Sequence, residues 1–365
     1  MTHLVMLIPT VDHIGGAERQ VQLLAKALAA RGWRVTIVAL SGSGAAHKEE
    51  LASAGVAFLS LHMRKAWIDP RGWFRYHAWA LYSQPDIVHA HLPHASWFAR
   101  CMRLYTPVRV LLDTIHTSSA GPRSRWLTYR LTNWLSNRIT CVSESVAASC
   151  RVAPKKGLLV IPNAVEIPCR EIQPHCSQSA SFRWIAVGRL APVKDYPTLL
   201  RAFAALPDSA HLQIAGSGPE EDALRALAAQ LGIEDRVQFA GFQQDISGLL
   251  ANADAFVLAS RWEGLPVSVL EAAAAGLPVV ATAGSGTSEA MQAGQTGLIV
   301  PVGDVAALSA AMARVMAMSP GQRRIMGAAG RRFVETHFSL PIVVNRWEGL
   351  YTQLLEEHPR SSRRG

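Results

Sequence analysis

With 365 residues, 49% of them hydrophobic, the chain can bury more than one core, and its length points to two domains rather than one. Mean hydropathy is slightly positive, yet no uncharged apolar run reaches the roughly 18 residues that a membrane-spanning helix needs. The formal charge of +9 is unevenly placed: residues 1–170 carry 20 Lys and Arg against 9 Asp and Glu, and residues 171–365 carry 16 against 18. A basic first part that also holds seven of the ten tryptophans is expected to meet something anionic: a membrane surface, nucleic acid or a phosphorylated acceptor. The five cysteines (Cys101, Cys141, Cys150, Cys169, Cys176) form no CxxC pair and no metal-ligand spacing, and so read as reduced thiols of a cytoplasmic protein.

In chain order, "HLVMLIP" reads as a buried first strand rather than a signal peptide, because no basic segment precedes it and no small-residue cleavage site follows. "GAERQVQLLAKALAARG" has helical periodicity and stops at Gly32. Short apolar runs follow at "RVTIVAL", "VAFLSL", "DIVHAHL", "VRVLLDTIH" and "RITCVS", with amphipathic stretches between them. Strands alternating with helices imply βαβ units and a parallel sheet covered on both faces. Around residues 166–180 the periodicity is lost and Pro, Ser and Gln accumulate, so the linker is placed there.

The alternation then restarts. "FRWIAVGRL", "HLQIAGSG", "RVQFAGF", "AFVLAS", "LPVVAT" and "GLIVPV" read as strands, "YPTLLRAFAAL" and "PEEDALRALAAQLG" as helices. Residues 305–336 read as helical, and "LPIVVNRWEGLYTQLLEE" as a last amphipathic helix. The expected fold class is therefore α/β, with two Rossmann-like doubly wound domains, 1–170 and 181–340, facing a central cleft. The helix 341–357 is expected to pack back toward the first domain. Ligands of such sheets sit beyond the carboxyl ends of the strands, so the loops there are the places to search.

Three of those loops suit a nucleotide diphosphate. In "GRLAPVKD", Gly188 is followed by Arg189, whose planar fork matches phosphate oxygens, and by Lys194, a movable point charge. In "AGSGPEEDALRAL", Gly216 and Gly218 allow close backbone approach, Pro219 suits a first helical turn, and the three acids after it argue against direct phosphate contact. In "EGLPVSVLE", Pro266 suits the first helical position, leaving the amides of Leu265, Val267 and Ser268 near a new helix start. Glu263 and Glu271 close this element at both ends. Acids beside phosphate-binding amides are better turned to neutral hydroxyls, and each carboxylate can accept two hydrogen bonds from a vicinal diol.

Together these loops resemble the second half of a retaining glycosyltransferase of family 4, of the GT-B type. The similarity runs through "VGRLAPVKDYPTLLRAF", "LQIAGSGPEEDALRALAAQLGIEDRVQFAGF" and "SRWEGLPVSVLEAAAAGLPVVAT", in the family's order and spacing. The resemblance implies that Glu263 lies against the hydroxyls of the donor sugar and that Glu271 holds the ribose diol. It places Arg189 and Lys194 on the pyrophosphate, with Gly188 and the turn Gly264, Leu265, Pro266 and Val267 around it, and Gly241 and Phe242 near the base. In the first half, "PTVDHIGGAERQVQ" resembles the family's Gly-rich loop, in which Gly15 and Gly16 approach the phosphate or acceptor side. His116, of "LLDTIHT", then lies beside the reacting sugar, while His89, His91 and His94 read as core or bystander histidines. One departure is visible at "GSGTSE", where Ser285 and Gly286 stand in place of a glycine pair before Glu289.

The resemblance implies transfer of a hexose from a UDP- or GDP-sugar to a saccharide or lipid-linked acceptor, with retention, in cell-envelope or exopolysaccharide synthesis. His116, Glu263, Arg189 and Lys194 are its expected catalytic groups. No Asp-x-Asp occurs, so no metal and no cofactor are expected, the nucleotide sugar being the substrate. No nucleic-acid partner is implied. "MRKAWIDPRGWFRYHAW" and "PRSRWLTYRLTNWLSNR" fit a cytoplasmic protein resting on the inner face of an anionic membrane. Two alternatives stand beside this reading: a sugar-nucleotide epimerase of the same architecture, and a non-catalytic sugar-nucleotide-binding protein. A nicotinamide dehydrogenase would need G-x-G-x-x-G after the first strand, and "IPTVDHIGGAER" lacks it.

Overall fold

The computed structural model describes residues 1–12, 15–64, 69–106, 108–117, 123–150, 158–168 and 181–360, with the side chains of residues 46 and 123–126 left out of the description. The chain divides into two compact units, Met1–Ala164 with Leu340–Gly365, and Val165–Ser339. The linker expected at 166–180 thus belongs to the second unit where it is described, and residues 169–180 lie outside the described residues.

In unit 1, strands β1 (His3–Ile8), β2 (Arg34–Ala39), β3 (Val56–Ser60), β4 (Ile87–His91), β5 (Val110–Ile115), β6 (Arg138–Cys141) and β7 (Leu158–Val160) form one sheet in the order β3-β2-β1-β4-β5-β6-β7. Every pairing is parallel. Such strands are buried on both faces, which is why β1, β4 and β5 are buried at every position and read as unbroken apolar runs. Helices Gly16–Ala30 and Leu340–Glu357 cover one face. There Leu24, Leu28, Trp347 and Tyr351 pack with Leu4 and Met6. Helices Pro70–Ser83 and Pro93–Met102 cover the other, through Tyr76, Ala80, Phe98 and Met102. The first of these starts where Asp69 accepts from the amide of Arg71 and Pro70 needs no partner for a missing N–H.

In unit 2, β8 (Phe182–Val187), β9 (Ala210–Ala215), β10 (Val237–Gly241), β11 (Ala255–Leu258), β12 (Val279–Thr282) and β13 (Gly297–Val300) are ordered β10-β9-β8-β11-β12-β13, again all parallel. Chain direction across the sheet reverses between β8 and β11. The loops leaving these two strands therefore diverge and open a crevice at their carboxyl ends. The helical stretch expected over 305–336 is two helices, Val305–Ala317 and Pro320–His337. Ser319 caps the second, accepting from the amide of Gln322 while the Gln322 side chain accepts from the amide of Ser319. Among the described residues no helix is long and apolar enough to cross a membrane.

Candidate functional site

The loops after β8, β11 and β12 meet in unit 2. Gly188 follows β8, and a Cβ there would lie 3.3 Å from both Lys194 Cε and Tyr196 Oη, so the lysine stem and the tyrosine lie over the glycine. Tyr196 donates to the carbonyl of Gly188 at 3.0 Å. Burial, and then the charge of Glu263, raise the Tyr196 phenol well above its ordinary value, and it stays a neutral donor. Lys194 ends a short 3-10 turn, Pro192–Lys194, and reaches Glu263 Oε1 at 2.5 Å. Ser260, fully buried at the end of β11, donates to the same oxygen at 2.6 Å. Thr282 of β12 holds the carbonyl of Ser260 at 2.6 Å.

Glu263 is therefore fixed through one oxygen, while Oε2 has no hydrogen-bond partner among the described residues. Its backbone is fixed too. The amide of Glu263 donates to the carbonyl of Ser285 and the Ser285 hydroxyl donates to the carbonyl of Glu263, both at 3.1 Å. Gly286 has φ +81, and a Cβ on it would fall 2.1 Å from the carbonyl oxygen of Gly264. The departure seen at "GSGTSE" is thus a working contact: the serine supplies a hydroxyl, and the glycine that has to be small is kept.

Arg189 is exposed and makes no ion pair or hydrogen bond among the described residues. Its charge is uncommitted, whereas that of Lys194 is shared with Glu263. Arg261, the other cation of this rim, is paired with Asp195 at 3.3 Å.

Two expectations about helix starts are corrected. Pro266 is the N-cap, with φ −73 and ψ 99, and helix Val267–Ala274 begins one residue later. Val269 and Leu270 both donate to the carbonyl of Pro266, so the first-turn donors left over are the amides of Val267 and Ser268, not that of Leu265. Likewise the helix after β9 is Glu221–Gln230 with Glu220 as N-cap, so Pro219 lies outside its first turn. Glu271, half-buried, is the fifth residue of helix Val267–Ala274. Gly241 ends β10, its carbonyl accepting from the amide of Gly216 at 2.8 Å, and Phe242 beyond it is 54% exposed.

In unit 1, Gly15 is the N-cap of helix Gly16–Ala30 and Gly16 its first residue. The amide of Gly15 donates to Glu18 Oε2 at 3.1 Å, so a carboxylate occupies this loop. An anion approaching here would be repelled unless Glu18 turned away. Residues 13 and 14 lie outside the described residues. His116 follows β5 and is partly exposed, its Nε2 lying 3.1 Å from Nδ1 of His91 at the end of β4. Burial pushes the His116 imidazole down to about 4, and burial and the neighbouring rings push His89 and His91 well below their ordinary value. All three are neutral at pH 7. His94 is exposed at the start of helix Pro93–Met102. The contact that reading in chain order missed is His91, buried but bonded to His116. The only trace of it in the sequence is the alternation His-Ala-His at a strand end.

Residues 172–333 match the family model described as Glycosyl transferases group 1, and residues 14–167 match that described as Glycosyltransferase Family 4. The N-acetyl-alpha-D-glucosaminyl L-malate synthase of Bacillus anthracis is 33% identical over 289 residues, 74% of this chain and 76% of that protein. The lipopolysaccharide core biosynthesis glycosyltransferase LpsE of Rhizobium meliloti is 35% identical over 175 residues, 48% of this chain and 50% of that protein. The chain spans half or less of the length of several curated relatives it matches. Among solved structures, Anabaena Alr3699/HepE in complex with UDP and glucose superposes with a TM-score of 0.83 at 17% identity, over 96% of this chain and 99% of that one. That likeness shows the fold, GT-B.

Proposed function

We propose that this chain, which belongs to glycosyltransferase family 4, moves a hexose from a UDP- or GDP-sugar to a saccharide or lipid-linked acceptor in envelope or exopolysaccharide synthesis. The observation that carries the reading is the state of Glu263. Its charge is held by Lys194 and Ser260 through one oxygen, and the other is open to accept from sugar hydroxyls. A carboxylate clamped in this way is suited to binding rather than to nucleophilic attack. Arg189, Lys194 and the amides of Val267 and Ser268 supply the charge and donors for a departing diphosphate. Glu271 takes the ribose diol, and His116 stands with the reacting sugar. The bond from the anomeric carbon to the diphosphate breaks as the acceptor oxygen bonds the same face of that carbon. The acceptor's proton passes to the leaving phosphate oxygen. No metal step is needed, because the cations named can neutralise the developing charge.

The donor is proposed from the kinds of ligand named for relatives of this fold, UDP with glucose among them, and the acceptor from the lipopolysaccharide role named for LpsE. Incubating the full chain with UDP- and GDP-sugars and candidate saccharides, with and without EDTA, tests the reading. Nucleotide diphosphate release with a new α-linked product, unaffected by EDTA, is expected. Isomerised donor without transfer would favour the epimerase alternative, and saturable binding without turnover the non-catalytic one.

The proposal extends to a membrane-facing surface on unit 1. Helices Pro70–Ser83, Pro93–Met102 and Arg123–Thr132 lie side by side. Trp73 meets Phe98 at 5.8 Å, and Arg100 reaches the carbonyl of Tyr129 at 3.2 Å. Their layer leaves Phe74, Tyr82, Tyr105, Leu127, Leu131 and Trp134 exposed. The only acid between residues 70 and 106 is the buried Asp86, and there is none between 123 and 137. Exposed apolar side chains among arginines, with no carboxylate to repel lipid phosphates, are complementary to an anionic bilayer face.

A further inference from the structure

Two strand ends of unit 1 bring three imidazoles together. His89 and His91, two residues apart on β4, share a face of the sheet, with ring centroids 3.9 Å apart. The register of β4 with β5 sets His91 beside Thr114 and so brings His116 next to it.

The protons on His89 follow from its partners. Thr140 donates to the carbonyl of Asp113 at 3.2 Å, so its oxygen accepts from Thr114 at 2.7 Å. Thr114 in turn accepts from His89 Nε2 at 2.7 Å, and Tyr351 donates to His89 Nδ1 at 2.7 Å. This chain ends on a backbone carbonyl and leads no proton to His116. His89 is scaffold.

His91 is different. Its Nδ1 meets His116 Nε2 at 3.1 Å, and its own Nε2 is buried with no hydrogen-bond partner among the described residues. Two neutral imidazoles joined by one hydrogen bond place one proton between them. Were His116 the donor, His91 would carry its proton on Nε2, a buried N–H with no protein acceptor. With His91 as donor, only a lone pair is left unpaired, the lesser loss. We infer that His91 is a positioning residue: its Nδ1–H donates to His116 Nε2 and so holds His116 as the Nδ1–H tautomer, a neutral donor to an oxygen of the substrate. The inference rests on the proposed place of His116 beside the reacting sugar. Burial, which keeps both rings uncharged at pH 7, agrees with it. The chemistry assigned is hydrogen-bond donation to a hydroxyl or phosphate oxygen, not proton transfer, since His116 would have to lose its only proton to act as an acid.

The test uses the full chain labelled with 15N-histidine, with long-range 15N–1H correlation at pH 7 and the His116 signals identified by their loss in His116→Gln. A protonated Nδ1 and a bare Nε2 on His116 are expected. In His91→Phe the tautomer should relax toward Nε2–H. In His91→Asn, whose amide nitrogen can stand where Nδ1 stood, the Nδ1–H form should return. Turnover of the nucleotide sugar found by the screen should follow the spectra. A fall in kcat of about tenfold to a hundredfold is expected in His91→Phe with KM within about threefold, and recovery to within about threefold of the parent in His91→Asn, the size of one lost and restored hydrogen bond. A purely structural loss would not track the tautomer. A His116 protonated at Nε2 in the parent protein, or unchanged by His91→Phe, overturns the inference. Should His91→Phe not fold, the parent spectrum and His91→Asn still decide it. Full turnover in His116→Ala would instead overturn the placement of His116 in the reaction, which the spectra do not measure.

Discussion

Lys194 Nζ and Glu263 Oε1 lie 2.5 Å apart, although 69 residues separate them in the chain. The family resemblance assigns the lysine to the diphosphate and the glutamate to the sugar, as separate contacts. In the folded protein they are one unit, both mostly buried, with side-chain exposures of 17% and 14%. On the proposed reading, a donor that engages either one perturbs the other, which would couple the position of the sugar to the charge on its leaving group.

That coupling makes the two residues non-additive. Lys194→Ala leaves the Glu263 carboxylate with Ser260 alone, and transfer should fall by about 10²–10³, the scale of removing one preorganised charge partner. Glu263→Gln should fall similarly, and the double variant by much less than the product of the two, with a coupling of about 1–3 kcal/mol. Glu271→Ala should lower turnover without altering the Lys194–Glu263 coupling. The rate constants of a double-mutant cycle check all of these. Additive losses would mean that the pair does not act as one unit.

Gly286 offers a probe of backbone rather than charge. Alanine there carries two penalties: a strained φ of +81, and a Cβ that would sit 2.1 Å from the carbonyl of Gly264. The strand-end backbone has to shift, at a cost of about 1–3 kcal/mol, and Glu263, held by Ser285 next door, shifts with it. Gly286→Ala should therefore show a lower urea midpoint with an unchanged m-value. Its loss of activity should be larger than that of Ala283→Ser, an exposed position in the same loop. Parent-like stability would refute the close approach.

Stability should depend on pH through the neutral histidines. His3, His89, His91 and His116 all have folded-state values below the ordinary 6.5, His116 at about 4, each chiefly because burial disfavours the charged ring. Below pH 6.5 the unfolded chain binds protons that the folded chain does not, so stability falls as pH falls. Their contribution is fully present above about pH 6.5 and is lost progressively as pH falls below it, for His116 down to about 4. Each histidine that stays neutral adds a slope of about 1.4 kcal/mol per pH unit in that window. Urea midpoints at pH 7, 6 and 5 should drop in sequence. A flat series would mean that these rings charge without unfolding.

What could be read in the sequence followed from burial. Parallel strands covered on both faces need apolar residues at every position, so "HLVMLI" and "AFVL" announce themselves, and their alternation with helices gives the doubly wound class. Contacts set by register were not legible. His91 and His116 are 25 residues apart and meet only because β4 and β5 pair with His91 beside Thr114. Lys194 and Glu263 meet because the sheet order reverses between β8 and β11, a property of topology rather than of either loop. Pro266 was ambiguous locally, since a proline before a helix suits either side of its boundary. Here its ψ of 99 and its carbonyl's two acceptances make it the cap. The break at Ser319 was not read, because helical periodicity continues on both sides of "SPGQ".

The surface proposed to face a membrane can be tested apart from the chemistry. Leu127, Leu131 and Trp134 are spaced i, i+4 and i+7 and are 58%, 65% and 67% exposed, so on the free protein they contribute little to the fold. Inserted at a headgroup boundary, each apolar side chain gains about 1.5–3 kcal/mol and each nearby arginine about 1 kcal/mol. The full chain should therefore co-sediment with phosphatidylglycerol-containing vesicles in about 0.05 M salt and much less with phosphatidylcholine alone. Binding should weaken toward 1 M salt as the screening length shrinks from above 10 Å to about 3 Å. The pair Leu131→Glu and Trp134→Glu removes apolar area and adds repulsion, and should reduce vesicle binding at least about tenfold. Both sites are exposed, so the thermal midpoint and turnover of a water-soluble acceptor should change little. Absence of co-sedimentation at low salt would remove the surface from consideration. Binding that ignores both salt and the two glutamates would place the lipid contact elsewhere on the molecule.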